Sequence, residues 1–484
     1  MKICVLQPDY TGSAVDYRHY DPPRDLSRIL SDHTVHHEFL DKRTTYHQLA
    51  ACARQGYDIY INLCEGYLDW DVPSIDVIHA LDRLGLPYTG PNALLYDPAK
   101  PLMKYVAYTA GVATPAHMVV RTLDDLAAVH ALVSGPWFVK PAHAGDSLGI
   151  SERSLVRNDA ELQAQVAEQL EHFPTLLVEQ YIDGREYTVL VAALPDGNGG
   201  CTAYAPIEFE FPEGPRFKTY ALKTSELHPH ANVPVRDAAL SRALQDAAEW
   251  IFTAFDGVGY ARMDFRVDAA GRVFFLEVNF TCSVFYADGY EGSADYIVKH
   301  DGVGQRGFAE RIIAEGLARH RRAQRCYEVQ GNALSGYGIF ATRPLEAGDV
   351  VFTGEERAHR IVTRRHVVAH WSAEARRVFR HYAYPLSDAV YALWDADPTA
   401  WSPQNHACVP STVFDGLNVV ACRAVAVGEE LTVDYGAAMN EQGAPFLCHC
   451  GSAACRGEIA GTVGNSVTER ERRALSDATE GSVV

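Results

Sequence analysis

The sequence predicts an α+β multidomain protein: an α/β opening, two α+β lobes around a cleft, and a mainly β C-terminal domain ending in a thiolate-rich segment. Three observations carry this expectation. The chain has 484 residues, 47% of them hydrophobic, more than one compact core normally uses, so two or three domains are expected. Up to about residue 315, buried-strand patterns alternate with amphipathic helices; beyond about 325 the pattern turns to short strands and glycine-punctuated turns, as in "SGYGIFATRPLEAGDVVF". Finally, "FLCHCGSAACRGEI" (446–459) packs Cys448, Cys450 and Cys455 into eight positions.

In chain order, "KICVLQ" (2–7) reads as a buried strand and "YDIYINLCEG" (57–66) as another that ends in a polar loop. From 100 to 300 come a lysine-bearing helix ("KYVAYTAGV"), the strands "WFVKP" and "TLLVEQYI", an amphipathic helix near 236–255 and the hairpin "ARMDFRVDAAGRVFFLEVNF". A basic, helix-prone connector, "AEGLARHRRAQR" (314–325), precedes a boundary near 325. The expected division is 1–98, an α/β domain; 99–315, the two lobes; 316–326, a linker; 327–441, the β domain; 442–460, the cysteine segment; and 461–484, a polar, poorly ordered tail.

Composition narrows the function class. A net charge of −19 disfavours binding to phosphate backbones, so no nucleic-acid partner is expected. No apolar run approaches the roughly 20 residues of a membrane span, and "MKICVLQPDY" turns polar too soon for a signal peptide. Eleven cysteines, an odd number mostly scattered singly, point to reduced thiols. A cytoplasmic enzyme is the expectation.

In "WFVKPAHAGDSLGIS", Lys140 ends a strand and a loop with Gly145, Asp146, Ser147 and Gly149 follows. Amides of such a loop can close over phosphates while the lysine supplies a point charge, although a plain strand–loop connection has the same pattern. In the hairpin, the period of two sets Asp264 on a face with Arg262 and Glu277 on a face with Asn279. If the hairpin closes, an oxygen cluster forms that suits magnesium; a solvated strand pair fits the alternation equally. Met263, Phe265, Phe275, Leu276 and Val278 are expected on the opposite face.

These segments, with "YINLCEG", "LGLPYTGPN", "KPLMKYVAYTAGVATP" and "LLVEQYIDGREYTV", are collinear, and residues 1 to about 315 resemble an ATP-grasp ligase, nearest the D-alanine–D-alanine ligase group. The resemblance implies that ATP phosphates are bound by Lys104, Lys140 and the Ser147 loop. It implies that adenine is held by Glu179 with the backbone of Gln180, Tyr181 and Ile182, and ribose by Glu186. Lys223 in "YALK" joins the phosphate site, with Lys218 as competitor; Asp264, Glu277 and Asn279 hold magnesium, and Arg262 stabilises the oxyanion. The implied reaction joins a small-molecule carboxylate to an amine through an acyl phosphate, and a homodimer is a resemblance-based expectation. Two departures, "NFTCSVFYADGYEGS" after Asn279 and "QPDYTGSAVDY" near the N-terminus, argue against D-alanine as substrate and leave Tyr10, Asp16, Glu65, Tyr286 and Asp288 as candidate acceptor contacts.

The spacing C-x-C-x4-C offers three thiolates to one metal, and such sites favour zinc, with free thiols the alternative. "SPQNHACVPSTVF", "GEELTVDYG" (428–436) and "SGYGIFATRPLEAGDVV" (335–351), with "CHCGSAACRG", resemble the SET-domain methyltransferases and their post-SET zinc motif, over about 327–460. That resemblance implies Cys408 as the fourth zinc ligand. It implies S-adenosyl-L-methionine bound by Tyr337, Gly338, Asn405 and His406, and Tyr435 orienting the amine, which can be a lysine of a peptide or protein. Ala407 and Ser411 depart from the family pattern, the latter removing a side-chain amide that supports a knot-like crossing. The leading expectation is a ligase fused to a methyltransferase; a lysine methyltransferase with an accessory ligase domain, or a ligase served by a zinc-stapled interaction module, are the alternatives.

Overall fold

The computed structural model describes residues 1–12, 21–67, 70–143, 148–196, 199–211, 217, 231–332, 336–353, 359–387, 389–394, 404–438 and 445–460. Asp16, Ser147, Lys218, Lys223 and the 461–484 tail lie outside them. The chain divides into two compact units, Met1–Arg321 and Arg322–Val484.

The first unit opens with β1 (Lys2–Pro8), β2 (Thr34–Leu40), α1 (Thr45–Ala53), β3 (Ile59–Asn62) and α2 (Ile75–Arg83). The strands form a parallel sheet in the order β2-β1-β3. Their continuous apolar runs follow from burial on both faces: Ile3, Val5, Ile59 and Ile61 enter one core, Cys4, Leu6 and Tyr60 another.

Next come α3 (Lys100–Thr109), β4 (His117–Val120), α4 (Leu126–Leu132), β5 (Trp137–Pro141), β6 (Leu155–Val156), α5 (Asp159–Leu170) and β7 (Leu176–Gln180). They make an antiparallel sheet, β4-β7-β5-β6, backed by its own apolar cluster. Asn158 caps α5 by accepting from the Glu161 amide, a cap worth about 0.5–2 kcal/mol.

The remainder contains β8 (Gly184–Ala193), β9 (Cys201–Ala203), β10 (Ile207–Phe209), β11 (Asn232–Pro234), α6 (Ala238–Ala254), β12 (Tyr260–Asp268), β13 (Val273–Asn279), α7 (Ser293–Asp301) and α8 (Gly304–Ala323). The sheet runs β11-β10-β8-β12-β13, with β9 added to β8. Leu244, Ala248, Ile251 and Phe252 of α6 pack with Met263, Phe265, Phe275 and Val278; on the other sheet face Leu190, Ala192, Ile207 and Tyr260 enter the first core, and polar residues occupy the part beyond them.

Two expectations change here. Pairing passes from Asp264↔Glu277 to Phe265↔Phe275, so Leu276 is a bulge residue; it lines the cleft with Glu277 rather than joining the opposite face. The segment 316–326 begins as the end of α8, packed on the first unit. A Cβ on Gly316 would lie 2.5 Å from the Tyr88 carbonyl oxygen, and Arg319 donates to the carbonyls of Gly90 (2.9 Å) and Tyr88 (2.8 Å).

The second unit contains β14 (Tyr327–Asn332), β15 (Gly336–Ala341), β16 (Val350–Phe352), β17 (His359–Thr363), α9 (Arg364–His370), α10 (Ala373–Tyr382), β18 (Ala383–Pro385), β19 (Val390–Trp394), β20 (Thr412–Asp415), β21 (Asn418–Ala421), α11 (Tyr435–Ala438), β22 (Phe446–Leu447) and β23 (Glu458–Ile459). Small antiparallel sheets, β14-β15, β16-β21-β20 and β17-β19-β18, account for its mainly β character. Ile339, Leu345, Phe352, Val419 and Leu431 share one core. The β17-β19-β18 sheet carries α9 and α10 on a separate small core of Val367, Phe379, Tyr391 and Leu393, an arm that the turn-rich sequence pattern did not reveal. No helix among the described residues is long and apolar enough to cross a membrane.

Candidate functional sites

The first site is built on a buried charge clasp. Phe138 of β5 is the register partner of Glu179 on β7, so Lys140, two residues further along β5, faces the same side as Glu179. Lys140 Nζ lies 2.7 Å from Glu179 Oε1 and Lys104 Nζ, from α3, 2.9 Å from Oε2. Lys104 also donates to the carbonyl of the bulge residue Leu276 (3.3 Å). Burial raises the cost of ionising Glu179, but the two ammonium groups outweigh it and hold the carboxyl down to about 2. Burial, with Lys140 nearby, pushes Lys104 down to about 8 despite Glu179.

One α-helical turn before Lys104, Lys100 reaches Glu277 Oε2 at 3.1 Å. The i, i+4 spacing and its start-of-helix position were visible in "KPLMK", but the sequence reading took only the second lysine. Glu277 is the register partner of Asp264, Asn279 of Arg262, and Thr188 and Glu186 of β8 pair with Asp264 and Arg266. These polar residues therefore share one sheet face. Arg262 Nε lies 3.5 Å from Asp264 Oδ1. Asn279 Oδ1 accepts from the amide (2.9 Å) and hydroxyl (3.2 Å) of Thr281. Arg266, missed from sequence, approaches Glu186 (3.4 Å), donates to the Ile182 carbonyl (2.8 Å) and lies over the Tyr181 ring.

An open cleft joins these groups: Lys140, Glu179, Gln180, Tyr181, Ile182, Glu186, Asp264 and Glu277 line it, as do Arg266 and Leu276. Phe138, Ile150 and Phe217 supply an apolar wall, with the Phe138 and Phe217 rings edge-on at 4.9 Å.

A second polar cluster gathers three of the acceptor candidates. Tyr10 and Tyr286 (2.7 Å) donate their hydroxyls to Asp21, and Ser283 donates to Glu65. Arg24, almost wholly buried, binds Glu65 (2.8 Å), the Leu63 carbonyl (2.9 Å) and Asp21 (3.3 Å). Burial and Asp21 push the Glu65 carboxyl up to about 7 although Arg24 and Ser283 oppose this. Asp288 is not part of the cluster: the chain turns outward at Ala287–Tyr290 and leaves it exposed. Arg24, Asp21 and Ser283 were not singled out from sequence; the i, i+3 spacing of Asp21 and Arg24 was their one local signal.

In the second unit, residues 404–408 run beside 430–436. Val433 donates to the Asn405 carbonyl (3.0 Å) and Ala407 to the Val433 carbonyl (3.2 Å). Asn405 Nδ2 bonds the Tyr337 carbonyl (2.8 Å) and Glu430 (2.6 Å). A Cβ on Gly338 would lie 2.2 Å from Glu430 Oε1, so a side chain here would displace that carboxylate from Asn405. His406 Nδ1 accepts from the Tyr435 amide (3.1 Å), and the Tyr435 hydroxyl donates to the Gln404 carbonyl (2.5 Å). The amide expected to be missed at Ser411 is replaced by a buried hydroxyl, which donates to the Glu430 carbonyl (3.0 Å) and accepts from the Thr432 amide (2.9 Å).

The four cysteines meet beside this crossing. The sulfurs of Cys408, Cys448, Cys450 and Cys455 all lie within 4.8 Å of one another. Cys408 and Cys448 are 3.8 Å apart, the edge of a tetrahedron with about 2.3 Å metal–sulfur bonds. Gly451 takes φ +70°, the left-handed turn that the spacing requires. Amides of Cys408 and Ser452 hold the Cys450 thiol down to about 6.

A cleft between antiparallel sheets, lined by Lys140 and by carboxylates that Lys100 and Lys104 pair with, defines an ATP-grasp ligase unit; the crossing with its cysteine cluster defines a SET unit. The family model for the C-terminus of D-Ala–D-Ala ligases matches residues 106–285, and that for the SET domain matches 336–436. The D-alanine–D-alanine ligase of Laribacter hongkongensis is 33% identical over 236 residues, 48% of this chain and 71% of that protein. D-alanine–D-alanine ligase B of Chromobacterium violaceum is 29% identical over 245 residues, 48% and 72% of the two chains. The uncharacterized protein y4sG of Sinorhizobium fredii is 33% identical over 233 residues, 45% and 63%. Among solved structures, the Bacillus anthracis D-alanine–D-alanine ligase complexed with ATP aligns with 67% of this chain and 100% of its own, at 17% identity and a TM-score of 0.47. The chain belongs to the D-alanine–D-alanine ligase family, with a SET domain fused behind the ligase unit.

The clasp yields a stability prediction. Because the Glu179 carboxyl is lowered from 4.5 to about 2 in the folded state, its contribution is complete above about 4.5 and is lost as pH falls toward 2. Glu179→Gln leaves two buried ammonium groups uncompensated and should cost about 3–5 kcal/mol. Urea unfolding of the full chain should also show a flatter pH slope in the variant; equal stability of the two proteins would contradict the clasp.

Proposed function

We propose that the first unit joins a carboxylate to an amine at the expense of ATP, and that the second transfers a methyl group from S-adenosylmethionine to an amine. The observation that carries the first reading is the meeting of Lys100, Lys104 and Lys140 with Glu179, Asp264 and Glu277 around one cleft. Adenine fits the apolar wall of Phe138, Ile150 and Phe217 beside the backbone of Gln180, Tyr181 and Ile182, and Glu186 the ribose; Glu179, expected from sequence to contact adenine, has both carboxylate oxygens on Lys104 and Lys140 and is assigned to fixing them.

A substrate carboxylate oxygen attacks the γ-phosphorus and ADP leaves; the amine then attacks the acyl carbonyl, and phosphate departs with that oxygen. Phosphoryl transfer needs positioning and charge neutralisation, which the three lysines supply. Asp264, Glu277 and Asn279 fit magnesium by donor type, two facing carboxylates and an amide oxygen. When bound, magnesium would add charge neutralisation at the phosphates. Arg262 stabilises the oxyanion of the second step. Tyr10, Glu65 and Tyr286, with Arg24, are assigned to the acceptor end. The Ser147 loop and Lys223 belong to the same reading as phosphate contacts.

In the second unit, Tyr337, Gly338, Asn405 and His406 hold the methyl donor and Tyr435 orients the amine. The donor supplies an electrophilic methyl group. Cys408, Cys448, Cys450 and Cys455 fit zinc as four thiolates at tetrahedral spacing. The metal would staple 446–459 to the segment bearing Asn405 and His406.

ADP release on a panel of acids and amines tests the ligase; no release from any pair would contradict it. Because Lys104 falls from 10.5 to about 8, its positive charge is lost as pH rises through 8. The kcat/KM for ATP should therefore decline on that limb.

For the methyltransferase, Tyr435→Phe should retain donor binding and lose at least roughly 100-fold in transfer. Cys408→Ser should lower bound zinc from about one per chain toward none. Absence of donor binding to the wild type would leave the SET unit as a zinc-stapled module.

A further inference from the structure

Along β12, Met263, Phe265 and Val267 enter the core beneath α6, so Arg262, Asp264 and Arg266, which alternate with them, share the cleft face. At roughly 3.3 Å per residue, Arg266 stands about 13 Å along the strand from Arg262, with Asp264 between them. The proposed reaction gives Arg262 to the oxyanion and Asp264 to magnesium. The third position of the row therefore falls at the nucleoside end of the cleft, whose wall there is formed by Phe138, Ile150 and Phe217. Arg266 lines this part of the cleft and is only 3% exposed.

Its contacts fall on groups already assigned to the nucleotide. Arg266 is the register partner of Glu186 on β8, and its Nη2 lies 3.4 Å from Glu186 Oε2. Nη1 donates to the Ile182 carbonyl at 2.8 Å, within the backbone stretch that borders the adenine wall. The guanidinium also covers the Tyr181 ring, 4.8 Å from its centre. That ring in turn stacks with Phe138 at 6.4 Å and meets Phe217 edge-on at 6.5 Å. Stability alone does not call for a charge at this position, because a buried ion pair is seldom worth more than apolar side chains of the same volume.

We propose that Arg266 is a positioning residue that makes the cleft selective for the ribose hydroxyls of its nucleotide, by fixing the Glu186 carboxylate that accepts them and the Ile182 peptide beside the base. This inference rests on the ATP reading of the cleft. A guanidinium only donates, so the hydroxyl protons must be accepted by Glu186. Arg266 acts by holding that flexible side chain in place before the sugar arrives, which lowers the ordering cost of binding. Its planar fork does this while reaching the Ile182 carbonyl with a second donor, a geometry that the point charge of a lysine does not reproduce. A nucleotide without the hydroxyls leaves the fixed carboxylate unmatched where they would lie.

The test is calorimetric titration of the full chain with ATP and with 2′,3′-dideoxy-ATP, in magnesium and without a carboxylate substrate. The wild type should bind ATP at least roughly tenfold more tightly than the dideoxy nucleotide. Arg266→Met and Arg266→Gln should shrink that preference to about twofold or less, chiefly by weakening ATP, and Arg266→Lys should fall between. In a Glu186→Ala background, Arg266→Met should change the preference no further. The preference is a ratio of two affinities within one protein, so partial loss of folded chain does not mimic the effect. ATP binding with equal affinity for the dideoxy nucleotide, or a wild-type preference that survives in both Arg266→Met and Arg266→Gln, would overturn the proposal and leave the ATP reading standing. No ATP binding by the wild type would overturn that reading and the proposal with it.

Discussion

A carboxylate with almost no access to water, Glu179, is held between Lys104 and Lys140, and the ligase cleft is organised around that balance. Burying any one of these charges alone costs several kcal/mol, so none of the three can leave without exposing the others to that penalty. The groups come from α3, β5 and β7. The clasp therefore ties together the elements that frame the cleft. It also holds two ammonium groups desolvated in fixed positions, which in the proposed reaction reduces the reorganisation that charge stabilisation otherwise needs.

The bulge at Leu276 extends this arrangement to the third sheet. By removing one residue from the β12–β13 ladder, it turns the Leu276 carbonyl toward Lys104 while Glu277 remains opposite Asp264. The second unit solves a comparable problem with neutral groups. There the chain crosses itself at 404–412 and 430–435, and buried Ser411, Thr412 and Thr432 satisfy the backbone that the crossing would otherwise strand. Sulfur atoms from two separated segments then converge beside His406.

Much of this was legible in the sequence because it is local. The period-two strand patterns located β12 and β13 and hence the shared face of Asp264 and Glu277. The cysteine spacing, with Gly451, gave three of four clustered sulfurs. What escaped depended on contacts distant in sequence. Nothing local to Arg24 reveals that Glu65 and the Leu63 carbonyl will reach it. The bulge breaks strict alternation at Leu276, so a pattern argument sent that residue to the wrong face. Lys100 shares a motif and a helical face with Lys104, but its partner Glu277 is distant in sequence, so nothing local reveals its ion pair. The helical arm at 364–382 was hidden by turn-rich flanks and a short, strongly basic composition.

The central claim is that the cleft activates a carboxylate by phosphoryl transfer, and an isotope experiment addresses it directly. With a carboxylate that supports ADP release, labelled with heavy oxygen in both carboxyl positions, mass spectrometry of the released phosphate should find one heavy oxygen per phosphate formed. Unlabelled phosphate, or heavy oxygen carried into AMP, would contradict the account.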